Sequence, residues 1–279
     1  MRDAGGNFQV IPYAGGYTMN REVLIFTIVL SFFCTTTVAA SGPDLIWAGG
    51  GARMADESAP AYLAEAFVTL GQADTTYIFT EPVFLFKEGH MAMDLGLGLR
   101  TPVLSGQAVA GYNVYLDYTT DNHHERLGTG VEFFHPYFTS HLNVYLPFSD
   151  SHNREEALPG VDLTFGVPLP GISFISLWPG VYFYKGRVKN DMQGFSLAVQ
   201  AKPMKVLTLT FGGRNDAIES GRYDRGEIFG KVEFTIPMSR MDDDLFKFDM
   251  GQYPVNVNNL LDHKVMREPF ITIEKADRR

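Results

Sequence analysis

From Met91 to Arg100 the chain alternates without a break. Met91, Met93, Leu95, Leu97 and Leu99 are apolar, while Ala92, Asp94, Gly96, Gly98 and Arg100 between them are small or charged. Side chains of a strand point alternately to its two faces, so this segment reads as a strand with one greasy face. Its length suits a tilted strand crossing a bilayer, which needs about nine to eleven residues.

The device recurs. Tyr112, Val114, Leu116 and Tyr118 oppose Asn113, Tyr115 and Asp117. Leu127, Val131 and Phe133 oppose Gly128, Gly130 and Glu132. Leu142, Val144 and Leu146 oppose His141, Asn143 and Tyr145, and Val161, Leu163, Phe165 and Val167 oppose Asp162, Thr164 and Gly166. Ile172–Tyr184 follows, with Leu177, Val181 and Phe183 apolar and a bulge expected at Pro179–Gly180. Two further strands are read around Phe195–Val199 and Leu207–Arg214. The last, Arg225–Pro237, sets Ile228, Val232, Phe234 and Ile236 against Arg225, Glu227, Lys231 and Glu233.

Three earlier segments are weaker. Leu45–Arg53 is glycine-rich, Tyr62–Gly71 also suits a helical turn, and Tyr77–Phe86 carries Pro82, which fits a bulge or a strand end. Counting them gives twelve strands. The fold class expected is all-β: a closed, antiparallel transmembrane barrel with both ends on one side. The connections agree. His135–Tyr137, Pro170–Gly171 and Pro203–Met204 are tight, whereas Thr119–Glu125, Ser149–Leu158, Lys185–Met192 and Asn215–Asp224 are long and polar, the asymmetry of outer-membrane barrels. Aromatics near strand ends (Tyr112, Tyr118, Phe133, Phe134, Tyr137, Phe138, Phe148, Trp178, Tyr182, Tyr184) read as interface girdles.

One long apolar run exists, Val23–Phe33, too short for a comfortable membrane helix and followed by small residues to Ala40. It reads as a signal peptide cleaved after Ala40, with translation starting at Met19. Cys34, the single cysteine, lies inside it, so the mature chain has no disulfide. The expected organisation is residues 1–40 removed, 41–237 barrel, and 238–279 a pore-threading tail with a short helix over Val255–Met266. Removing residues 1–40 leaves the net charge of −9 unchanged. An acidic chain with no basic cluster is a poor nucleic-acid binder.

At this point the segment Leu95–Phe148 resembles the β-domain of the intimin/invasin family, the inverse autotransporters. The carrying residues are LGLGLRTP, GYNVYLDY and RLGTGVEFFHPYFTSHLNVYLPF, then Pro159, Gly160, Asp162, Leu169 and Pro170. Val265, Arg267, Ile271, Ile273 and Glu274 resemble the family's linker. The resemblance implies twelve strands, a linker threaded through the pore, insertion by the barrel-assembly machinery, outer-membrane lipid as surroundings, and a displayed passenger that binds a surface ligand. Here the chain stops after the linker, so the passenger is expected to be absent, as is a peptidoglycan-binding module ahead of the barrel.

The inward charges and amides are Asp94, Arg100, Asn113, Asp117, Glu132, Asn143, Asp162, Arg214, Arg225, Glu227, Lys231 and Glu233. They read either as a pore lining that cradles the tail or as structural ion pairs across a wet lumen. Asp121, His123, His124 and Glu125, with His152 and Glu155 in the next loop, match no zinc spacing and read as solvated loop. No nucleophile elbow, P-loop or dinucleotide fingerprint occurs, and no metal or cofactor is expected. The function expected is a non-enzymatic outer-membrane anchor and translocator. The alternatives are a porin-like channel with a plugged lumen and an outer-rim hydrolase.

Overall fold

The computed structural model describes residues 42–56, 58–149, 154–187, 191–217, 225–238, 245–251 and 253–275. The signal-peptide reading falls outside them. The strands are β1 (Asp44–Ala55), β2 (Ser58–Ala73), β3 (Thr76–Lys87), β4 (His90–Val103), β5 (Ala108–Thr119), β6 (Glu125–His135) and β7 (Phe138–Pro147). Next come a three-residue β8 (Glu155–Ala157), β9 (Gly160–Leu169), β10 (Ile172–Tyr184), β11 (Met192–Met204), β12 (Leu207–Ala217) and β13 (Arg225–Pro237). β14 (Ile273–Lys275) pairs only with β8. The other twelve close a ring in sequence order, sealed by β1 against β13. Every neighbour is antiparallel, so the ladder satisfies the backbone without an open edge, as hydrocarbon requires.

The alternation sorts side chains as the sequence suggests. Leu95, Leu142, Val181, Phe195, Phe211 and Phe234 stand exposed on the outside, Phe211 at 64%. On the other face of β4 and β5, Asp94, Arg100, Asn113 and Asp117 are buried, Arg100 completely. The molecule is inside-out relative to a water-soluble sheet: its outer face needs lipid, and its packed core lies in the lumen. Gly96 and Gly98 make room for that core. A Cβ at Gly96 would overlap the Tyr115 ring, and one at Gly98 the Phe79 ring.

Several local expectations are corrected. Tyr62–Gly71 is strand, because β2 pairs on both sides, with β1 and β3. The register shift in β10 lies between Ile172 and Ser176, not at Pro179. Pro82 sits mid-strand, opposite Leu95, in an unbroken register, and the β2–β3 irregularity is instead at Gly71. The β11–β12 turn is Lys205–Val206, two residues beyond Pro203–Met204, and Val206 is buried there. Of the girdle aromatics, Phe134, Trp178 and Tyr184 are buried in the lumen, and Tyr182 bonds to Asp216. Tyr112 and Tyr137 are exposed.

At one end of the barrel every described connection is short: Asp74–Thr75, Leu104–Gln107, Pro136–Tyr137, Pro170–Gly171 and Lys205–Val206. Both ends of the barrel-forming chain, Asp44 and Pro237, meet at this end. The opposite end carries the long segments between β5 and β6, β7 and β9, and β10 and β11. Short turns mark the periplasmic end and long loops the outer one.

Candidate functional site

Beyond β13 the described residues of the tail stay against the barrel. The Met238 amide donates to the Ile46 carbonyl (2.8 Å). The tail then follows the periplasmic turns. The Asp249 amide donates to the Pro203 carbonyl (2.9 Å), the Phe174 amide to the Met250 carbonyl (3.1 Å), and the Val255 amide to the Pro136 carbonyl (3.0 Å). Phe248 packs edge-on against Phe174, and Tyr253 against Tyr137. A short 3-10 turn, Val257–Leu260, then dips into the lumen, where Val257, Leu260 and Leu261 pack on Val109 and Phe134. The helix expected over Val255–Met266 shrinks to that one turn.

From there the chain climbs the lumen, and each step is held by the wall. Arg100 grips Glu132 through two nitrogens (3.1 Å each). Its third nitrogen donates to the carbonyls of Leu261 (2.7 Å) and His263 (2.6 Å). The guanidinium lies 4.7 Å from the ring of Phe79 and 4.9 Å from that of Phe134. Such a fixed fork, stacked on rings, suits a buried arginine, because its weakly hydrated plane loses little on leaving water.

Trp47 donates to the Asp262 carbonyl (2.8 Å). Lys264 reaches Glu65, and Glu233 at 3.0 Å. Val265 enters a cluster with Trp47, Phe67, Phe79 and Tyr115, and its amide donates to Glu81 (3.1 Å). Asn143 donates to Asp162 (2.8 Å) and to the Met266 carbonyl (3.0 Å).

Arg267 forms the central clamp. It donates to Asp94 (3.2 Å) and to both oxygens of Asp117 (2.9 and 2.5 Å), over the face of Tyr115 at 4.1 Å. Arg126 shares Asp117 (2.7 Å) and donates to the carbonyls of Glu268 (2.8 Å) and Phe270 (3.0 Å). Two arginines thus face two carboxylates inside the wall, one arginine belonging to the tail and one to β6. At the outer end the Leu158 amide donates to the Thr272 carbonyl (2.9 Å), and β14 pairs with β8. Lys275 caps Glu155 at 2.5 Å, and the Arg187 amide donates to Glu274 (2.8 Å).

The residues singled out in the sequence fall into two groups. Asp94, Arg100, Asn113, Asp117, Glu132, Asn143 and Asp162 line the β4–β9 side, where the tail lies. Arg214, Glu227, Lys231 and Glu233 line the opposite wall, paired with Asp216 and Glu268 (3.6 and 3.9 Å), Arg53 (2.6 Å), Glu233 (2.8 Å) and Lys264 respectively. The side chain of Arg225, like His152, lies outside what is described. Of the linker residues, Val265 and Arg267 reach the core. Ile273 is exposed on β14, and Ile271 is half-buried. Sequence reasoning missed Glu65, Glu81, Arg126 and Lys264, and put Tyr145 on the inward face of its strand without singling it out. Strand parity could have found Arg126, since Leu127 next to it faces out. In the outer loops, His124 is buried 3.9 Å from Glu155, and among the described residues no three potential metal ligands converge.

A twelve-stranded barrel with a lipid-facing skin and its own tail threaded from the short-turn end to the long-loop end defines an outer-membrane β-barrel of translocator type. The family model for the inverse autotransporter β-domain matches residues 56–249, and the chain belongs to that family. It is 30% identical to intimin of Escherichia coli O127:H6 over 186 residues, 59% of this chain and 19% of intimin. It is also 30% identical to intimin of Citrobacter freundii over 118 residues, 40% of this chain and 11% of that protein. The chain therefore spans about a fifth or less of its curated relatives. A membrane protein solved in a study of in-meso crystallization shares the fold, with TM-score 0.71 and 18% identity, covering 84% of this chain and 100% of the other. The barrel belongs in the bacterial outer membrane, in lipid, within a translocator family rather than an enzyme family.

Proposed function

We propose that this barrel carries polypeptide joined to its linker out of the periplasm and holds it at the cell surface, catalysing no reaction. On this reading the lumenal residues act as a holder: Arg100, Asn143 and Arg126 grasp linker carbonyls, and Asp94 and Asp117 grasp Arg267. The barrel-assembly machinery would insert the sheet. What supports the reading is one observation, the unbroken series of contacts from Leu261 near the periplasmic mouth to β14 at the outer mouth. An arginine held by carboxylates and aromatic faces is specific for one chain position, so the series fixes the register of the thread as well as its path.

The test is an epitope tag placed after Arg279 in cells expressing the chain. Antibody binding to intact cells is the expected result. Binding only after the outer membrane is permeabilised would overturn the reading.

A further inference from the structure

Between the last barrel strand and the lumen, the tail carries large apolar side chains in the open. Phe246 is 73% exposed, Phe248 61% and Met250 51%, on alternate residues, and Tyr253 is exposed after them. The backbone beneath them is fixed. The Asp249 amide donates to the Pro203 carbonyl at the end of β11. The Met250 carbonyl accepts from the Phe174 amide and from the Ser173 hydroxyl (2.9 Å), at the start of β10. The Asp249 carboxylate accepts from the Gly251 amide (2.9 Å). Apolar side chains gathered and held on one short exposed segment mark an interaction surface.

That surface is continuous with the lipid face. On β13 the exposed row of Phe234 and Ile236 runs on to Met238, which is exposed and whose amide is still bonded to β1. Across the mouth, Phe133 and Phe138 share the outward faces of β6 and β7 with Val131 and Leu142. The His135 ring lies 6.5 Å from that of Phe133 and 5.3 Å from that of Phe138. Tyr137 follows at 5.4 Å from His135, and Tyr253 of the tail at 5.7 Å from Tyr137. A file of rings thus leads from the hydrocarbon-facing wall through the turn to the tail. Ile172, at the start of the strand that holds Met250, is exposed too.

The tail is bonded to the last residues of the ladder, so these side chains lie at the rim, where hydrocarbon gives way to headgroups. Aromatic residues favour that layer. An apolar face lying in it is buried about 5–10 Å into the boundary of headgroups and acyl chains. We propose that Phe246, Phe248, Met250 and Tyr253 enter the periplasmic leaflet of the outer membrane, so that phospholipid covers this part of the tail. The contact pins the tail to the bilayer just before it turns into the lumen. It lies beyond the barrel strands and needs no polypeptide to be exported.

The chain has two tryptophans, Trp47 and Trp178, both buried in the lumen. A tryptophan placed in the tail therefore reports its own surroundings over a fixed background. Phe246→Trp and Phe248→Trp are made singly in the full chain and refolded into phosphatidylcholine vesicles, with or without bromine on the acyl chains. Leu142→Trp serves as the reference for hydrocarbon, and the shift between boiled and unboiled electrophoretic mobility shows that each variant is folded. After subtraction of the parent, the added emission of both tail variants should be blue-shifted and quenched several-fold by brominated lipid. Iodide on both sides of the membrane should quench it far less. Emission that bromine leaves unchanged would overturn the proposal. Strong quenching by iodide would then mean that water covers the tail, and protection from both quenchers that protein does, such as a second copy of the chain.

Discussion

Arg267 of the linker and Asp117 of β5 meet through two parallel hydrogen bonds, 2.9 and 2.5 Å long, deep in the lumen. Asp117 is also held by Arg126, and Arg267 by Asp94. The four charges balance only when the linker is in place. With Arg267 withdrawn, Arg126 alone faces two buried carboxylates. The wall is thus built around a charge that its own strands do not supply.

Replacing Arg267 by Met should therefore loosen the thread rather than unfold the barrel. Removing one partner of a buried pair costs about 3–5 kcal/mol. Hydrogen exchange of residues 261–272 is expected to speed up markedly, with the heat-modified band shift preserved. Arg267→Lys should fall between, since an ammonium cannot span both Asp117 oxygens as a fork.

The outer latch should respond to acid. Glu155 lies in β8, outside the spanning strands. Partial burial pushes its pKa up, but hydrogen bonds from Lys275 and Asn122 outweigh this and hold it below the ordinary 4.5. Lys275 is raised in turn, chiefly by its hydrogen bond to Glu155. A carboxylate lowered in the folded state contributes stability that is complete above its unfolded value and is lost as pH falls through the folded one. The β8–β14 pair should stay protected at neutral pH and open only below the usual glutamate range. Amide exchange of residues 272–275 across pH reads this. Glu155→Gln should remove the acid step and leave the pair weakly protected throughout.

The lipid face makes the opposite demand. Leu142 lies near the middle of β7, across from Val131 and Leu163, and is 41% exposed. Arginine there should cost about 2–4 kcal/mol, the penalty for a charge near the bilayer midplane. Reversible unfolding from liposomes would show it. A loss below about 0.5 kcal/mol would mean that this surface does not face hydrocarbon.

Much of this was legible in the chain, because a bilayer enforces strict alternation. From Met91 onward each apolar row predicted for the outside lies there, and its partner row lies within. Parity alone even argues against the girdle reading: with Phe133 and Phe183 outward, Phe134, Tyr182 and Tyr184 must turn in. The tail was less legible for a specific reason. Its apolar spacing resembles a helix, but the Leu261 and His263 carbonyls and the Val265 amide bond to Arg100 and Glu81 instead of to one another. Those partners lie more than 150 residues away in sequence, so no local pattern announces them. Glu65 and Glu81 were hidden likewise, in strands whose alanines and proline masked the period.

Trp47, Phe67, Phe79 and Tyr115 close around Val265 at the hub of the molecule. Four of those five rings and side chains come from the hoop, and the fifth comes from the thread that passes through it. A hoop sealed without its thread would present that aromatic surface to water in the middle of the membrane. Closing β1 on β13 around Val265 keeps that surface covered, so the closed ring and the threaded tail stabilise each other.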